Sequence, residues 1–524
     1  MDDQLKSEYL ISYAIIITKQ GIIKSDEEKD ALYNIMRTCC IWPLKFYEES
    51  LLLIFCYNLI VWLPIIMVKN NKILLKIFDL DDDFVDDISF DTDIYRNILY
   101  VKFKRTINCC PVCGSVKLLS KGYYTSELIG CPFNGKPTVI QCKIKRFVCK
   151  YCGSYPVDMN PISYKNTNMT RTALITILNE LKPYTATYSQ IAKRFGVSTS
   201  HIIDLFDRYV RVKRKKLPRV LLIDEFYFSR KAKFKYPTIL MNFENNVIID
   251  VIKSRKQEVT IEYFFSIPKE EKEAVEFICT DMSYTFKPLL QLYFPHSTLL
   301  IDHFHVIKYI NNQLNNTRIR VMRKYSHDKT SLKYRILKNK YRLLLKNAED
   351  LDDETYKKDN ILGFTTTQSG IVHQMTLLDD EINRAYKLKE LYKAFDSITK
   401  EEINDYDMEK ELDSIINQFE NSDIEEMIEV SETLKNWKLE ILNSFVWIKG
   451  RRISNGPIEG KNYYIKKILY NGNGMKNFER TRNRILYSQN KYKSYDLDIE
   501  YTGSIKIEKS DLLSDDDDTD EFEE

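Results

Sequence analysis

Short apolar runs that end in an acidic residue recur through the middle of the chain. In Arg219–Phe228 (RVLLIDEFYF), four apolar residues precede Asp224 and Glu225, and three aromatic residues follow. A run this rich in Val, Leu, Ile, Phe and Tyr predicts a β-strand buried on both faces. A carboxylate there is costly unless it lies at the strand end, is paired or binds a metal. A divalent cation is the most economical partner.

Five strands and two helices are predicted around this run. The strands are Val220–Phe228, Tyr236–Phe243, Val247–Lys253, Ala274–Thr280 and Ser297–Ile301, and the helices are Val259–Phe265 and Tyr284–Tyr293. The order β-β-β-α-β-α-β is that of a ribonuclease H-like fold. In that topology a carboxylate on the first strand and one just after the fourth lie side by side, and Asp224 and Asp281 occupy those places.

The segment after the strands predicts helices. Ile307–Asn443 is charged, with helical apolar spacing and no strand signal, and we interpret it as an insertion that splits the sheet domain. Ser454–Lys467 then predicts a helix with Pro457 in its first position. Glu459, Asn462 and Lys466 lie on one face of this helix, where they could contact a metal, base or sugar edges, and a phosphate, respectively. Further along the chain, a basic surface is predicted from Arg480, Arg482 and Arg484.

Three of these carboxylates suit phosphodiester chemistry with two divalent cations, which needs oxygen ligands from different parts of the fold. Asp224 is expected to bridge both ions, with Asp281 and Glu459 each holding one side. The competing interpretations are a lysine-paired Asp224, an Asp281 that caps a helix and a solvent-facing Glu459. Asp302 is the rival for the second position. The cluster Asp302-His303-Phe304-His305 could itself bind a metal, although a structural or DNA-facing role is favoured.

Two CxxC-Gly motifs, Cys110–Gly114 and Cys149–Gly153, give the strongest local signal. Each motif makes a tight turn that directs two thiolates at one point. The four sulfurs of Cys110, Cys113, Cys149 and Cys152 would form a tetrahedral shell suited to structural zinc. Strand-like segments between the motifs predict a zinc ribbon, and free buried thiols are the alternative.

The segment Tyr188–Phe206 (YSQIAKRFGVSTSHIIDLF) has helix-turn-helix spacing. Gly196 permits the turn, and Ser198 is predicted to cap a second helix that starts at Thr199. The exposed candidates for contacts in the DNA major groove are Thr199, Ser200, His201 and Asp204. An ordinary helical hairpin is the alternative.

The bulk composition of the 524 residues is that of a globular protein, and the net charge of +3 conceals an acidic tail, Asp511–Glu524. Basic clusters at Arg208–Arg219, Arg318–Lys324, Lys333–Lys346 and Lys461–Lys467 fit a polyanionic partner, although solvated helix faces are the alternative for any single cluster. Leu51–Val68 carries no charge and is near the length of a membrane span. A buried helix, or a natural start at Met67, are the other interpretations of this segment.

Together these motifs resemble the bacterial insertion-sequence DDE transposases of the ISL-three group. The resemblance covers roughly Lys72–Tyr487 and includes the ribbon, the helix-turn-helix, LLIDEFYF, ICTDMSYTFKPLLQLYFPHSTLLIDHFHVIK and RRISNGPIEGKNYYIKK. It implies a ribonuclease H-like catalytic domain with Asp224, Asp281 and Glu459 as a Mg²⁺ (or Mn²⁺) triad. It also implies that the ribbon and helix-turn-helix bind terminal inverted repeats, that water cleaves the strand, and that a freed 3′-hydroxyl joins it to the target.

On this basis we expect an α/β multidomain protein. Its predicted segments are an N-terminal apolar segment that need not be native (1–71), a small β unit and zinc ribbon (72–157), a helix-turn-helix (158–216), the two parts of the ribonuclease H-like domain (217–310 and 445–495), a helical insertion (311–444) and a disordered acidic tail (496–524). The expected partner is double-stranded DNA, bound by a homo-oligomer in the cytoplasm at the nucleoid and away from membranes. The contact residues are predicted to be Thr199, Ser200, His201, Asn462 and Lys466.

Two other functions remain open from the sequence. A non-catalytic DNA-binding protein, either a regulator or a decayed transposase, would use only the ribbon and the helix-turn-helix. A membrane-attached protein would rest on Leu51–Val68 alone. The presence of all three carboxylates favours the active enzyme.

Overall fold

The computed structural model describes residues 71–164, 167–228, 234–472, 477–489, 495 and 497. The apolar segment Leu51–Val68 therefore lies outside the described residues, as does the acidic tail apart from residue 497. Among the helices of the described residues, none combines the length and apolar content needed to cross a membrane. The chain divides into two compact units, the first formed by 1–176 and 193–197, the second by 177–192 and 198–524. The seven-segment division stays a prediction.

The first unit contains a four-stranded sheet in the order β1-β2-β4-β3. Its elements are helix α1 (Asn71–Ile77) and strands β1 (Val85–Thr92), β2 (Asn97–Phe103), β3 (Leu118–Phe133) and β4 (Lys136–Cys149). Strands β3 and β4 form a long antiparallel hairpin. Asn134 and Gly135 have φ values of 48° and 75° at its tip, as expected for an Asn-Gly turn whose twist matches the strands.

Three helices follow the hairpin along the chain: α2 (Arg171–Glu180), α3 (Tyr188–Phe195) and α4 (Thr199–Tyr209). As predicted, the turn between α3 and α4 begins at Gly196, which has φ of 67°. Ser198 caps α4, because its hydroxyl accepts a hydrogen bond from the His201 backbone N–H. Within the second unit, Tyr188 packs edge-on against Phe206.

The second unit is built on a five-stranded sheet in the order β7-β6-β5-β8-β9. Its elements are strands β5 (Val220–Glu225), β6 (Thr238–Asn242), β7 (Val247–Ile252), β8 (Phe277–Thr280) and β9 (Thr298–Ile301), with helices α5 (Gln257–Phe265), α6 (Lys269–Glu273) and α7 (Phe286–Tyr293). Strands β5, β8 and β9 pair in parallel, whereas β6 pairs antiparallel with both β5 and β7. All five predicted strands are present, and the short helix α6 is an addition to the predicted order.

Alternation along β5 separates two cores on the faces of this sheet. Leu221 and Ile223 join a core with residues of α5 and α7. Leu222 joins the opposite core, which contains residues of helices α16 (Gly456–Asn471) and α17 (Phe478–Gln489). The segment that reads as a continuous apolar run is therefore buried on both faces, as predicted.

The expected helical insertion is present between β9 and the short ladder of β12 (Trp447–Ile448) and β13 (Arg451–Arg452). Its helices are α8 (His303–Lys324), α9 (Leu332–Asn339), α10 (Tyr341–Leu344), α11 (Gln368–Leu378), α12 (Asp380–Asp396), α13 (Met408–Glu420), α14 (Glu425–Asn436) and α15 (Lys438–Asn443), packed around one hydrophobic core. A ladder of two-residue strands, β10 (Lys357–Lys358) with β11 (Thr365–Thr366), interrupts this segment, where no strand is predicted. In the cluster Arg318–Lys324, Arg320 forms ion pairs with Glu381 and Glu426 at 2.5 and 2.8 Å.

The basic surface predicted from Arg480, Arg482 and Arg484 is wrong. Arg480 pairs with Asp207 at 2.6 Å, and Arg482 pairs with Asp250 at 2.6 Å. Arg484 is 2% exposed and donates to the backbone oxygens of residues 183 and 186. These guanidinium groups join α17 to its neighbours in the second unit, because their planar donors fit carboxylate and carbonyl oxygens.

Candidate functional site

Three aspartates lie at equivalent positions at one edge of the five-stranded sheet. The parallel register pairs Leu222 with Cys279 and Cys279 with Leu300. Two residues further along each strand are Asp224, Asp281 and Asp302. Because the strands are parallel, their carboxyl ends share an edge, and a step of two residues preserves the face. All three aspartates therefore lie on the α16 side of the sheet.

Helix α16 brings Glu459 to the same edge. The helix begins beside β5, where the Asn455 side chain donates a hydrogen bond of 3.0 Å to the backbone oxygen of Ile223. Glu459 follows in the first turn of the helix and is exposed. Asn462 lies one turn further on and donates from Nδ2 to Asp224 Oδ2 at 3.0 Å. This hydrogen bond holds one carboxylate oxygen of Asp224 and fixes the rotation of that side chain.

The aspartates occupy an environment that disfavours their charges. Burial raises the pKa of Asp224 to about 6, and the nearby Asp281 adds to the rise. Burial also raises the pKa of Asp281 and of Asp302, while His305 opposes the rise at both. Ionised carboxylates concentrated in this way repel one another, and a divalent cation between them relieves the repulsion.

Glu225, the other acidic residue of the first strand, has a separate partner. It forms an ion pair with Arg255 at 3.2 Å. Burial raises the pKa of Glu225 to about 7, and Arg255 opposes the rise. Its position one residue after Asp224 directs it to the opposite side of the strand.

Glu459 is grouped with Asp302 and His305, since one donor atom from each residue lies within 4.8 Å of the other two. Asp224 and Asp281 lie outside this group of three. The predicted residues Asp224, Asp281 and Glu459 are thus brought to one edge, and the predicted rival Asp302 lies there with them. The sequence names His305 as part of the cluster Asp302-His303-Phe304-His305, but it does not predict that His305 lies beside Glu459.

A signal for this fourth acidic position is present in the sequence. The segments 220–224 (VLLID), 277–281 (FICTD) and 298–302 (TLLID) are each an apolar strand that ends in Asp. Parallel strands with equivalent ends place those aspartates side by side. His305 follows Asp302 by three residues on α8, which puts both side chains on one helix face.

His303 points to a different set of partners. Its Nδ1 lies 3.1 Å from Asp396 Oδ2 at the end of α12. Arg452 also pairs with Asp396 at 3.0 Å, and its guanidinium lies 4.0 Å from the Phe445 ring centroid. The hydrogen bond from His303 lowers the pKa of Asp396 despite its burial. This network fixes the insertion to the segment that carries Asp302.

The first unit holds a second cluster of ligand-type residues, the four cysteines of the two CxxC motifs. The Sγ atoms of Cys110 and Cys152 are 3.7 Å apart, and those of Cys113 and Cys149 are 3.6 Å apart. Zinc–sulfur bonds of about 2.3 Å in a tetrahedron place sulfurs roughly 3.8 Å apart. The four residues therefore fit a tetrahedral zinc ion.

Matching backbone turns position the four sulfurs. Gly114 N–H donates to Cys110 O at 2.8 Å, and Gly153 N–H donates to Cys149 O at 3.0 Å. Both glycines have positive φ, of 74° and 71°, which an L side chain rarely adopts. A hydrogen bond with Ser154 lowers the pKa of Cys110 to about 6, which favours the thiolate that binds metal, whereas burial and hydrogen bonds with the other three cysteines raise the pKa of Cys113.

The predicted DNA-contacting residues are accessible to different degrees. Thr199, Ser200 and Lys466 are exposed, whereas His201 and Asn462 are partly buried. Burial lowers the pKa of His201. Among these five residues, Asn462 donates a hydrogen bond to a carboxylate of the site, that of Asp224.

A family model described as a transposase matches residues 221–485, which span β5 to α17. This match defines the class of the protein, since transposases are DNA-processing enzymes that bind DNA as substrate. The chain belongs to the ISL3 transposase family, the same ISL-three group that its motifs resemble. A comparison with curated proteins finds no match.

Proposed function

We propose that this chain is a DDE transposase that cleaves DNA strands at the terminal inverted repeats of an insertion sequence and transfers them to a target. The observation that carries the proposal is the alignment of Asp224, Asp281 and Asp302 at one sheet edge, facing the helix that bears Glu459. Carboxylates from separate strands and a helix converge there, as two-metal phosphodiester chemistry requires.

The sheet supports a ribonuclease H-like assignment. Three antiparallel strands are followed by two parallel strands, and the strand that bears Asp224 lies at the centre. Helices pack on both faces, through the cores that contain Leu221 and Leu222. The helical insertion then returns the chain to the same sheet, where α16 completes the site.

The protein groups have distinct roles in this proposal. Asp224, Asp281 and Glu459 would hold Mg²⁺, which would supply an activated water or hydroxyl and stabilise the leaving oxygen. Asn462 orients Asp224 through the hydrogen bond from its Nδ2. The exposed Lys466, one turn further on, is placed to neutralise a DNA phosphate.

The cysteine cluster and the helices α3 and α4 would recognise the ends of the element. Structural zinc held by Cys110, Cys113, Cys149 and Cys152 would fix the two turns at the base of the β3–β4 hairpin. Thr199 and Ser200, exposed in the first turn of α4, are suited to contact base edges in a major groove.

The test uses a supercoiled plasmid that carries the inverted repeats flanking the gene, incubated with purified protein and Mg²⁺. We expect nicking at the ends of the element, and no nicking by Asp224→Asn, Asp281→Asn or Glu459→Gln proteins that still bind those ends. Specific binding by the wild-type protein without any cleavage would contradict the proposal and favour a non-catalytic regulator. Cleavage at the wild-type rate by Asp281→Asn would move its role to Asp302.

A further inference from the structure

The group formed by Asp302, His305 and Glu459 has the spacing of ligands around one ion. One donor atom from each residue lies within 4.8 Å of the other two. Ligand atoms about 2.0–2.2 Å from a metal are roughly 3 to 4 Å from one another. The three donors would need only a small adjustment of their side chains to reach that spacing.

Asp302 provides an independent observation that points to a cation. It is the N-cap residue of α8, a position where Asp usually accepts hydrogen bonds from the helix, yet its side chain makes no such bond. The residue is fully buried. Neither of its carboxylate oxygens accepts a hydrogen bond of normal geometry within the described part of the chain, although the Asn455 backbone N–H is near enough to favour the charged form. A buried carboxylate is strongly unfavourable without a compensating partner, and a bound metal is one such partner.

His305 faces this carboxylate from the next turn of α8. Its Nε2 lies 3.8 Å from Asp302 Oδ2, which is too long for a hydrogen bond. An Asp–His ion pair would bring these atoms to about 2.8 Å, so the pair alone does not explain the geometry. A separation of 3.8 Å suits an imidazole nitrogen and a carboxylate oxygen that bind the same ion.

The three residues of this group differ in their exposure to solvent. Asp302 is buried, His305 is partly buried and Glu459 is exposed. An ion held here would be enclosed on the protein side and accessible on the other. It could therefore keep positions for water or a phosphate oxygen, as catalytic metal sites do.

We infer that Asp302, His305 and Glu459 together hold one divalent cation, with His305 Nε2 as a nitrogen ligand. The inference rests on the proposed function in one respect: this ion would be the second of the pair, beside the one at Asp224 and Asp281. Because imidazole suits transition metals whereas Mg²⁺ prefers oxygen ligands, this position should bind Mn²⁺ more tightly than Mg²⁺.

The direct test is electron paramagnetic resonance of Mn²⁺ added to the full-length protein with zinc already bound, since zinc is diamagnetic. Electron spin-echo modulation should show ¹⁴N coupling from a coordinated imidazole. His305→Ala should abolish the coupling and weaken Mn²⁺ binding at this position by at least about tenfold. The matched control, His296→Ala, changes an exposed histidine outside the group and should leave both unchanged. Absence of ¹⁴N coupling in the wild type, or its persistence in His305→Ala, would overturn the inference.

A second variant, at Asp302, tests whether this residue binds the metal or only stabilises the fold. Asp302→Asn removes a buried charge that has no described hydrogen-bond partner. Without added Mn²⁺ it should melt at the wild-type temperature or above, and it should lose the Mn²⁺-dependent rise in melting temperature. A metal-free variant that melts well below the wild type but retains full Mn²⁺ binding would contradict the assignment of Asp302.

The outcomes distinguish this inference from the proposed function. A wild-type protein that shows ¹⁴N coupling through His305 but does not cleave DNA would support the inference and contradict the function. A protein that cleaves the ends of the element yet shows no nitrogen coupling would contradict the inference and leave the function supported.

Discussion

The cysteine cluster and the carboxylate cluster are both groups of metal-type ligands, but the chain assembles them in different ways. Each pair of cysteines comes from one tight turn, so the spacing CxxC already defines half of the tetrahedron. The carboxylates come from three strands and a helix separated by up to 235 positions, from Asp224 to Glu459. Their proximity depends on the register of a parallel sheet and on the return of the chain after the insertion.

The two clusters therefore depend on different parts of the molecule. The cysteine cluster depends on its metal, because a small sheet with two exposed turns has few other means of holding the sulfurs together. The carboxylate cluster is positioned by two hydrophobic cores, so it should persist without metal and lose only its chemistry when a ligand is changed.

The greatest loss of activity is expected from a change in the carboxylate cluster. Asp224→Asn should lower strand cleavage by at least about 1000-fold, because a metal ligand contributes several kcal/mol to stabilising the charge of the transition state. The melting temperature should be close to that of the wild type, since the asparagine keeps the shape of the side chain. Nicking rates and thermal denaturation measure the two quantities.

Glu225→Gln is the matched control, because it changes the adjacent carboxylate, which pairs with Arg255. It should cleave within about tenfold of the wild type. Equal losses in the two variants would mean that the charge of the strand end, and not the Asp224 position, matters for cleavage.

A change in the cysteine cluster is expected to cause the next largest loss, which is in zinc content and DNA binding. Cys149→Ser should abolish stoichiometric zinc and weaken binding to the inverted repeats by at least about 100-fold, since structural zinc supplies much of the folding free energy of such units. Zinc content by atomic spectroscopy and binding by fluorescence anisotropy measure both losses. Cys109→Ser, at an exposed cysteine adjacent to Cys110, is the control that should retain zinc and binding. Full end binding by a zinc-free Cys149→Ser protein would contradict the structural role.

The same contrast explains how much the sequence could predict. Spacing alone identifies the four cysteines, and the apolar runs identify the five strands and the positions of Asp224 and Asp281. The proximity of His305 to Glu459 depends on how two helices far apart in the chain pack beside the sheet, which a local pattern does not contain. The burial of Arg480, Arg482 and Arg484 was missed because their partners lie far away in the sequence, at Asp207, Asp250 and the backbone near residue 183.

A smaller effect separates two roles for Asn462. If it positions Asp224 through their 3.0 Å hydrogen bond, Asn462→Ala should lower the turnover rate by about tenfold with end binding unchanged. The exposed Lys466 provides the control on the same helix, since Lys466→Ala should weaken DNA binding and its salt dependence instead. Weaker binding at an unchanged turnover rate in Asn462→Ala would assign this residue to DNA contact, as its sequence position also allows.

The smallest effect concerns a local turn in the first unit. Gly196→Ala should destabilise the protein by about 1–2 kcal/mol from its positive φ alone, and a Cβ there would lie 2.8 Å from Pro137 Cβ. Gly135→Ala has a similar φ of 75° but no atom within 4 Å of the added Cβ, so it isolates the contact. Chemical denaturation should show a larger loss for Gly196→Ala. Equal losses of unfolding free energy in the two variants would indicate that Pro137 moves aside without destabilising the protein.

Crystals of the zinc-loaded protein soaked in Mn²⁺ allow the two clusters to be compared in one measurement by anomalous diffraction at the zinc and manganese absorption edges. We predict a zinc peak among Cys110, Cys113, Cys149 and Cys152, and manganese peaks between the carboxylates at the edge of the five-stranded sheet. Absence of manganese between Asp224, Asp281 and Glu459, at a concentration that supports DNA cleavage, would contradict the account.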